Sequence, residues 1–154
     1  MKLEAASQLR PFLDHMGEAL ESMGMPAMVG KVMGWLAVCE PPCQQASEVA
    51  CALGVAPVTV LPALEALEAY GVLDGVVTPD DTVCYALKST HDLVARRVGQ
   101  ITELRRALAE GLALLPGEDA AARRRLEELH GLYGVLEREL PEVMARWAQR
   151  RPAR

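Results

Sequence analysis

The chain has 154 residues, 51% of them apolar and only 4% aromatic, with a formal net charge of −5. A chain of this size can bury roughly 68–70% of its unfolded surface without metal or disulfide staples, and its core must be built from Leu, Val, Ala and Met. No run approaches the ~20 apolar residues of a membrane span, the start MKLEAASQLR has no signal-peptide apolar stretch, and a cytoplasmic protein is expected.

Leu9, Phe12, Leu13, Met16, Leu20 and Met23 recur at three- and four-residue steps. They predict an amphipathic helix, with Ser7 as its cap and Pro11 tolerated in or near the first turn. Asp14, His15 and Glu18 fall on or beside its polar side. They form a solvated face or, in a sharper reading, make His15 a ligand contact or proton carrier. Residues 1–24 are read as an N-terminal dimerisation helix.

Gly24 ends that helix, and Met25–Pro26 opens a second that runs to about Cys39. It is apolar almost all round, as expected of a helix buried on most sides. Gly30 and Gly34, one turn apart, allow a neighbouring backbone to come close. Its methionines fill a core or line an adaptable apolar pocket. Phe12, His15, Met16, Met25, Met28, Val32, Trp35 and Cys39 are the pocket candidates.

Glu40-Pro41-Pro42 stops this helix. Ala46 to Leu53 is a short helix closed by Gly54. In Val55 to Gly71, Pro62 cannot lie deep inside a helix without losing ~3 kcal/mol. The next helix is therefore expected to start at Thr59 or Val60, with Thr59 as N-cap. Val72–Thr78 and Thr82–Leu87, joined by Pro79-Asp80-Asp81, read as a two-stranded hairpin. Residues 25–88 thus have the layout of a winged helix-turn-helix.

Residues 89–154 are expected to form C-terminal dimerisation helices. Thr90 caps a long helix with a seam of Ile101, Leu104, Leu108 and Leu115, ended by Pro116-Gly117. The last helix begins near Glu118–Asp119. Leu126, Leu129, Tyr133, Leu136, Leu140, Val143 and Trp147 step by three and four residues, a heptad seam whose length needs a helical partner. Pro141 is expected to bend or restart it. A two-fold dimer follows.

From Val32 to Leu87 there is no Lys or Arg, while Glu40, Glu48, Glu65, Glu68, Asp74, Asp80 and Asp81 all fall there. The basic residues concentrate after Lys88. Cys39, Cys43, Cys51 and Cys84 match no zinc spacing, and in a reducing compartment they are expected to be free thiols. No metal and no cofactor is expected, although Cys39, Cys43 and Cys51 are close enough in sequence to suggest a redox or soft-metal sensor.

The stretch GMPAMVGKVMGWLAVCEPP, a short helix ending ALGV and a helix ending LEALEAYGVLDGV resemble the GbsR-like branch of the MarR-type regulators over residues 8–115. The resemblance implies a mainly α fold with a small β-hairpin wing, a winged helix-turn-helix with long N- and C-terminal dimerisation helices. It also implies a homodimer of bacterial cytoplasm that binds operator DNA through the second helix and the wing. Many such proteins respond to a small molecule lodged between the dimer helices and the DNA-binding lobe. The chain departs from the family on the functional surface. Ala56, Pro57, Val58, Thr59, Val60, Leu61 and Pro62 replace a Ser/Arg/Gly/Ser/Thr-rich approach to the recognition helix. Thr78, Pro79, Asp80, Asp81 and Thr82 replace a basic wing.

Cations on a reading head gain affinity by displacing counterions, and bases are read by Arg, Lys, Asn or Gln. With neither on the expected elements, charge favours a winged-helix homodimer with lost or weakened DNA binding. Such a protein acts on a small apolar ligand or a protein partner. Val58, Thr59, Val60, Leu61, Asp80, Asp81 and Lys88 are the DNA- or partner-facing candidates, and Val58, Val60 and Leu61 are expected to form an exposed apolar patch. The alternative is a ligand-responsive, DNA-binding repressor of the MarR type. An enzyme built around Asp14, His15 and Glu18 comes third, with no nucleophile–base motif, phosphate loop or metal spacing behind it.

Overall fold

A computed structural model describes residues 6–117 and 119–150. The chain divides into two units, Met1–Ser89 and Thr90–Arg154.

In the first unit, α1 spans Arg10–Ser22 with Pro11 in its first turn. Ser7 is not its cap. Residues 6–8 are already helical, and the capping position of α1 is Leu9, without a side-chain hydrogen bond. Pro11 has no N–H to return to the carbonyl four residues back, on Ser7, so the leading turn does not run on in register. Helix α2, Ala27–Val38, follows an extended Pro26 and buries Val29, Val32, Trp35 and Leu36. Gly30 and Gly34 both face α1. A Cβ on Gly30 would overlap the Met16 carbonyl, and one on Gly34 would press on the Met16 and Leu13 side chains at 3.1–3.3 Å.

Strand β1, Gln44–Gln45, leads into α3, Ala46–Leu53, which ends on Gly54 at φ 68°. Helix α4, Pro57–Ala69, follows at a bend of 115°, within the range usual for helix-turn-helix pairs. Here the expected start at Thr59 or Val60 is corrected. Ala56 is the extended N-cap and Pro57 the first helical residue, so Thr59 lies inside the helix and Pro62 is interior. Proline at the first position gives up an N–H that has no helical partner anyway, so Pro57 is compatible with this earlier start.

Strands β2, Leu73–Val77, and β3, Val83–Leu87, form the wing hairpin, with Leu73 opposite Leu87 and Val77 opposite Val83. The sheet has a third strand that the hydropathy pattern does not announce. β1 pairs antiparallel with β3, Gln44 opposite Tyr85. Val32, Val49, Val60 and Leu64 are fully buried, with Leu67 and Leu73 beside them. The buried Gln44 donates from Nε2 to the Pro41 carbonyl at 3.0 Å. The expectation of four free thiols is also corrected. Cys43 and Cys84 are joined as a disulfide with their Cα atoms 5.6 Å apart, because the β1–β3 pairing brings the two together across 41 residues of sequence. Cys39 and Cys51 are outside this disulfide.

In the second unit, α5 spans Thr90–Leu114 and α6 spans Ala120–Arg150. Thr90 is the first helical residue rather than the cap, a one-residue difference. Glu118 lies outside the described residues. Asp119 Oδ1 accepts the Ala122 N–H at 3.1 Å and so caps α6. Pro141 does not restart the helix, which runs on through it. The two helices are antiparallel. Leu126 meets Gly111, Arg105 lies over Gly134, and Glu137 accepts hydrogen bonds from Thr102 at 2.7 Å and from Arg105. No described residue of either helix is fully buried within the single chain. On α6, Leu129, Leu132, Val135, Leu136, Val143 and Trp147 are all exposed, while Leu126, Tyr133 and Leu140 are half-buried. Among the described residues no single helix is long and apolar enough to cross a membrane.

Candidate nucleic-acid interface

The helical period of α4 decides which of its side chains face out. With 3.6 residues per turn, Val60, Ala63, Leu64 and Leu67 share the inward stripe, and all four are buried. Val58, Thr59, Leu61, Pro62 and Glu65 fall on the other side and are exposed. The expected patch of Val58, Val60 and Leu61 is therefore corrected. Val60 is 0% exposed, whereas Val58 is 71% and Leu61 38% exposed. A start at Pro57 instead of Thr59 does not alter the face of any residue, but it gives Val58 and Thr59 helical geometry and brings both onto the outer surface of the first turn.

The wing stands on a network that begins away from it. The Thr78 N–H donates to the Thr82 carbonyl at 2.7 Å, and the Thr78 and Thr82 hydroxyls share a hydrogen bond of 2.7 Å. Gln45, on β1, donates from Nε2 to Thr82 Oγ1 at 3.0 Å. The tip turns on Asp81, which has φ 60°. At the wing's foot, the Lys88 N–H donates to the Val72 carbonyl at 2.9 Å, and Lys88 Nζ lies 2.9 Å from Asp74 Oδ1. The anchoring role of Gln45 carries no sequence signal, since a Gln-Gln pair before a helix has many uses.

The lobe's acid is unevenly placed. Asp74 is neutralised by Lys88, which stands one residue past the Lys/Arg-free span. Glu48 accepts the Gln45 N–H at 3.0 Å in the first turn of α3, where the helix dipole favours a carboxylate. Glu68 is exposed beside β2, its Oε1 2.8 Å from where a Cβ on Gly75 would be. Burial pushes the Tyr85 phenol above its ordinary range, and Glu68 and Glu65 add to the rise. Of the seven carboxylates in the span, Glu65 lies on the outer face of α4, and Asp80 and Asp81 at the wing tip.

The pocket candidates do not share one setting. Val32, Trp35 and Cys39 are core residues, and Met25 and Met28 pack on the core's margin. Met16 fills the notch over Gly34, while Phe12 and His15 are exposed. Asp14 is ion-paired with Lys31 at 2.7 Å, which holds its carboxyl below the usual carboxylate range. The three cysteines read as a sensor are separated. Cys43 is bonded to Cys84, Cys39 is buried and Cys51 is exposed. Among the described residues no group of three His, Cys, Asp or Glu is placed to hold a metal ion.

Comparison with known proteins bears on what this lobe does. The family described as MmpR5-like MarR family transcriptional regulator matches residues 89–150, the helical second unit. The HTH-type transcriptional regulator MmpR5 of Mycobacterium tuberculosis is 25% identical over 152 residues, 97% of this chain and 92% of the relative. A crystal structure of a transcriptional regulator superposes with a TM-score of 0.79 at 25% identity, covering 93% of this chain and 99% of that one. These likenesses overturn the expectation that the acidic lobe has abandoned DNA for an apolar ligand or a protein partner. The charge count behind that expectation took seven carboxylates as uncompensated, and the structure shows Asp74 paired and Glu48 engaged in the first turn of α3. By sequence along nearly its whole length, and by its winged helix-turn-helix with long C-terminal helices, the chain is similar to MarR family transcriptional regulators of the MmpR5-like kind.

Proposed function

We propose that this protein is a DNA-binding transcriptional regulator, of the repressor type, that works as a homodimer in the cytoplasm. The carrying observation is the α3–turn–α4 pair with its three-stranded wing, in a chain aligned over 97% of its length with an HTH-type transcriptional regulator. Helix α4 is the element for the major groove, which admits an α-helix, and the wing lies alongside. Dimerisation is supported by the apolar strip of α6, on which Leu129, Leu132, Leu136 and Val143 remain exposed. A GbsR-like position within the family rests on the Gly24-Met25-Pro26 to Pro41-Pro42 stretch alone.

The test is fluorescence anisotropy of labelled duplex DNA with the full-length protein at several salt concentrations. Affinity falls with salt at a log–log slope of about −0.9 per phosphate neutralised. The described residues of the first unit offer Arg10, Lys31 and Lys88, with Lys31 and Lys88 already ion-paired. With both protomers of the dimer contributing, binding is therefore expected with a slope no steeper than about −5. No binding to any duplex at low salt rejects the proposal.

A further inference from the structure

We infer that α4 reads its operator chiefly through the C5-methyl groups of thymine, with Val58 and Leu61 as the residues that determine specificity. The inference rests on the DNA-binding function proposed above and concerns how that function recognises sequence.

Direct reading of the major groove draws on a short list of pairings. Arg or Lys recognises guanine, Asn or Gln recognises adenine, Glu or Asp accepts from cytosine, and apolar side chains contact the thymine methyl. Helix α4, PVTVLPALEALEA, contains no Arg, Lys, Asn or Gln, and neither do the strands and turn of the wing from Val72 to Leu87. The two glutamines of the lobe are committed elsewhere. Gln44 is buried against Pro41, and Gln45 is tied to Thr82. Guanine and adenine pairings are thus missing from both elements that reach the groove.

What α4 does present is apolar and exposed. Val58 and Leu61, three residues apart, share one face of the helix's N-terminal half, with Pro62 beside them and the Thr59 hydroxyl as a hydrogen-bonding group in the first two turns. Their exposure does not arise from a shortage of interior places, since Val60, Ala63 and Leu64 on the same helix are buried. In a duplex, the major-groove group that gains from such a surface is the thymine methyl, the one apolar substituent among the base edges. Thymine also leaves no buried donor unpaired against an aliphatic side chain. The carboxylate of Glu65, one turn beyond Leu61, is repelled by phosphate and sets the limit of the reading face.

The experiment selects duplexes from a randomised pool with the full-length protein, then remakes the enriched duplex with deoxyuridine for thymidine in the protected region. This change removes only the C5-methyl groups. Burial of one methyl contributes about a three- to fourfold gain in affinity, so loss of one or two per half-site across a dimer is expected to weaken binding roughly tenfold or more. The surface variant V58A/L61A, checked for native circular dichroism, is expected to bind the thymidine duplex as weakly as the wild type binds the deoxyuridine one. It should also lose most of its discrimination between them. Equal binding of the two duplexes by the wild type overturns the inference while leaving DNA binding intact. Discrimination that persists undiminished in V58A/L61A also overturns it, because the uridine effect then arises from duplex deformability. Failure to enrich or bind any duplex overturns the proposed function and this inference together.

Discussion

Replacing Pro62 by alanine should stabilise the protein. Pro62 is the sixth residue of α4, counted from Pro57. At that position a residue normally donates its N–H to the carbonyl four back, here Val58, and proline both lacks the donor and crowds that carbonyl. The usual cost inside a helix is about 3 kcal/mol. Pro62 is exposed, so its removal leaves no cavity. Against the gain stands the added freedom of the unfolded chain, which takes back about 0.4–1 kcal/mol. The net expectation for P62A is about 2 kcal/mol of added stability. With a urea m-value of roughly 2 kcal/mol/M, the midpoint rises by about 1 M. The assay is urea unfolding followed by far-UV circular dichroism at one fixed protein concentration, because dimerisation makes apparent stability concentration-dependent. A change within about 0.5 kcal/mol of zero, or a loss, would refute the reasoning. It would mean that the Val58 carbonyl and the helix axis are already relaxed around proline.

Four further expectations follow from named residues. G30A should lose about 2 kcal/mol, because its Cβ meets the Met16 carbonyl of α1 rather than a flexible side chain. G131A, with nothing within 4 Å of its Cβ, should gain up to about 1 kcal/mol from helix propensity, and urea midpoints of the two variants shifting in the same direction would contradict the packing argument. Acid should destabilise the fold through Asp14 and Glu137. Lys31 lowers the first carboxyl's pKa by hydrogen bonding, and Thr102 and then Arg105 lower the second's. The unfolded chain therefore binds more protons across the carboxylate range. Stability is full above the unfolded values and is lost as pH falls through the folded ones, so D14N/E137Q should flatten the acid limb of stability against pH between about 6 and 3. Light scattering should give a dimer mass for the wild type and a smaller mass for L132E/L136E, whose side chains are exposed on α6. A monomeric wild type would remove the case for a partner.

The acidic lobe shows how a linear charge count misleads. Val32 to Leu87 contains acid and no base, and from that the chain was expected to have left DNA binding behind. Yet the cation that neutralises Asp74 is Lys88, just outside the counted span, and the first turn of α3 engages Glu48. Charge acts through distance and exposure, and a string of letters supplies neither.

Sequence periodicity alone determined the helical elements, the wing hairpin, the close approach at Gly30 and Gly34 and the heptad strip of α6, because each depends on residues a few places apart. The stop of α3 at Gly54 was equally legible, since a left-handed backbone favours a residue without Cβ. Tertiary structure decided what depends on distant partners. It placed β1 against β3, joined Cys43 to Cys84, tied Gln45 to the wing and turned Val60 inward while leaving Val58 and Leu61 outside. Even the first residue of α4 belonged to that second group. Two prolines competed to set it, and burial of Val60, Leu64 and Leu67 in a shared core accommodates Pro62 inside the helix, a gain that local propensity does not contain.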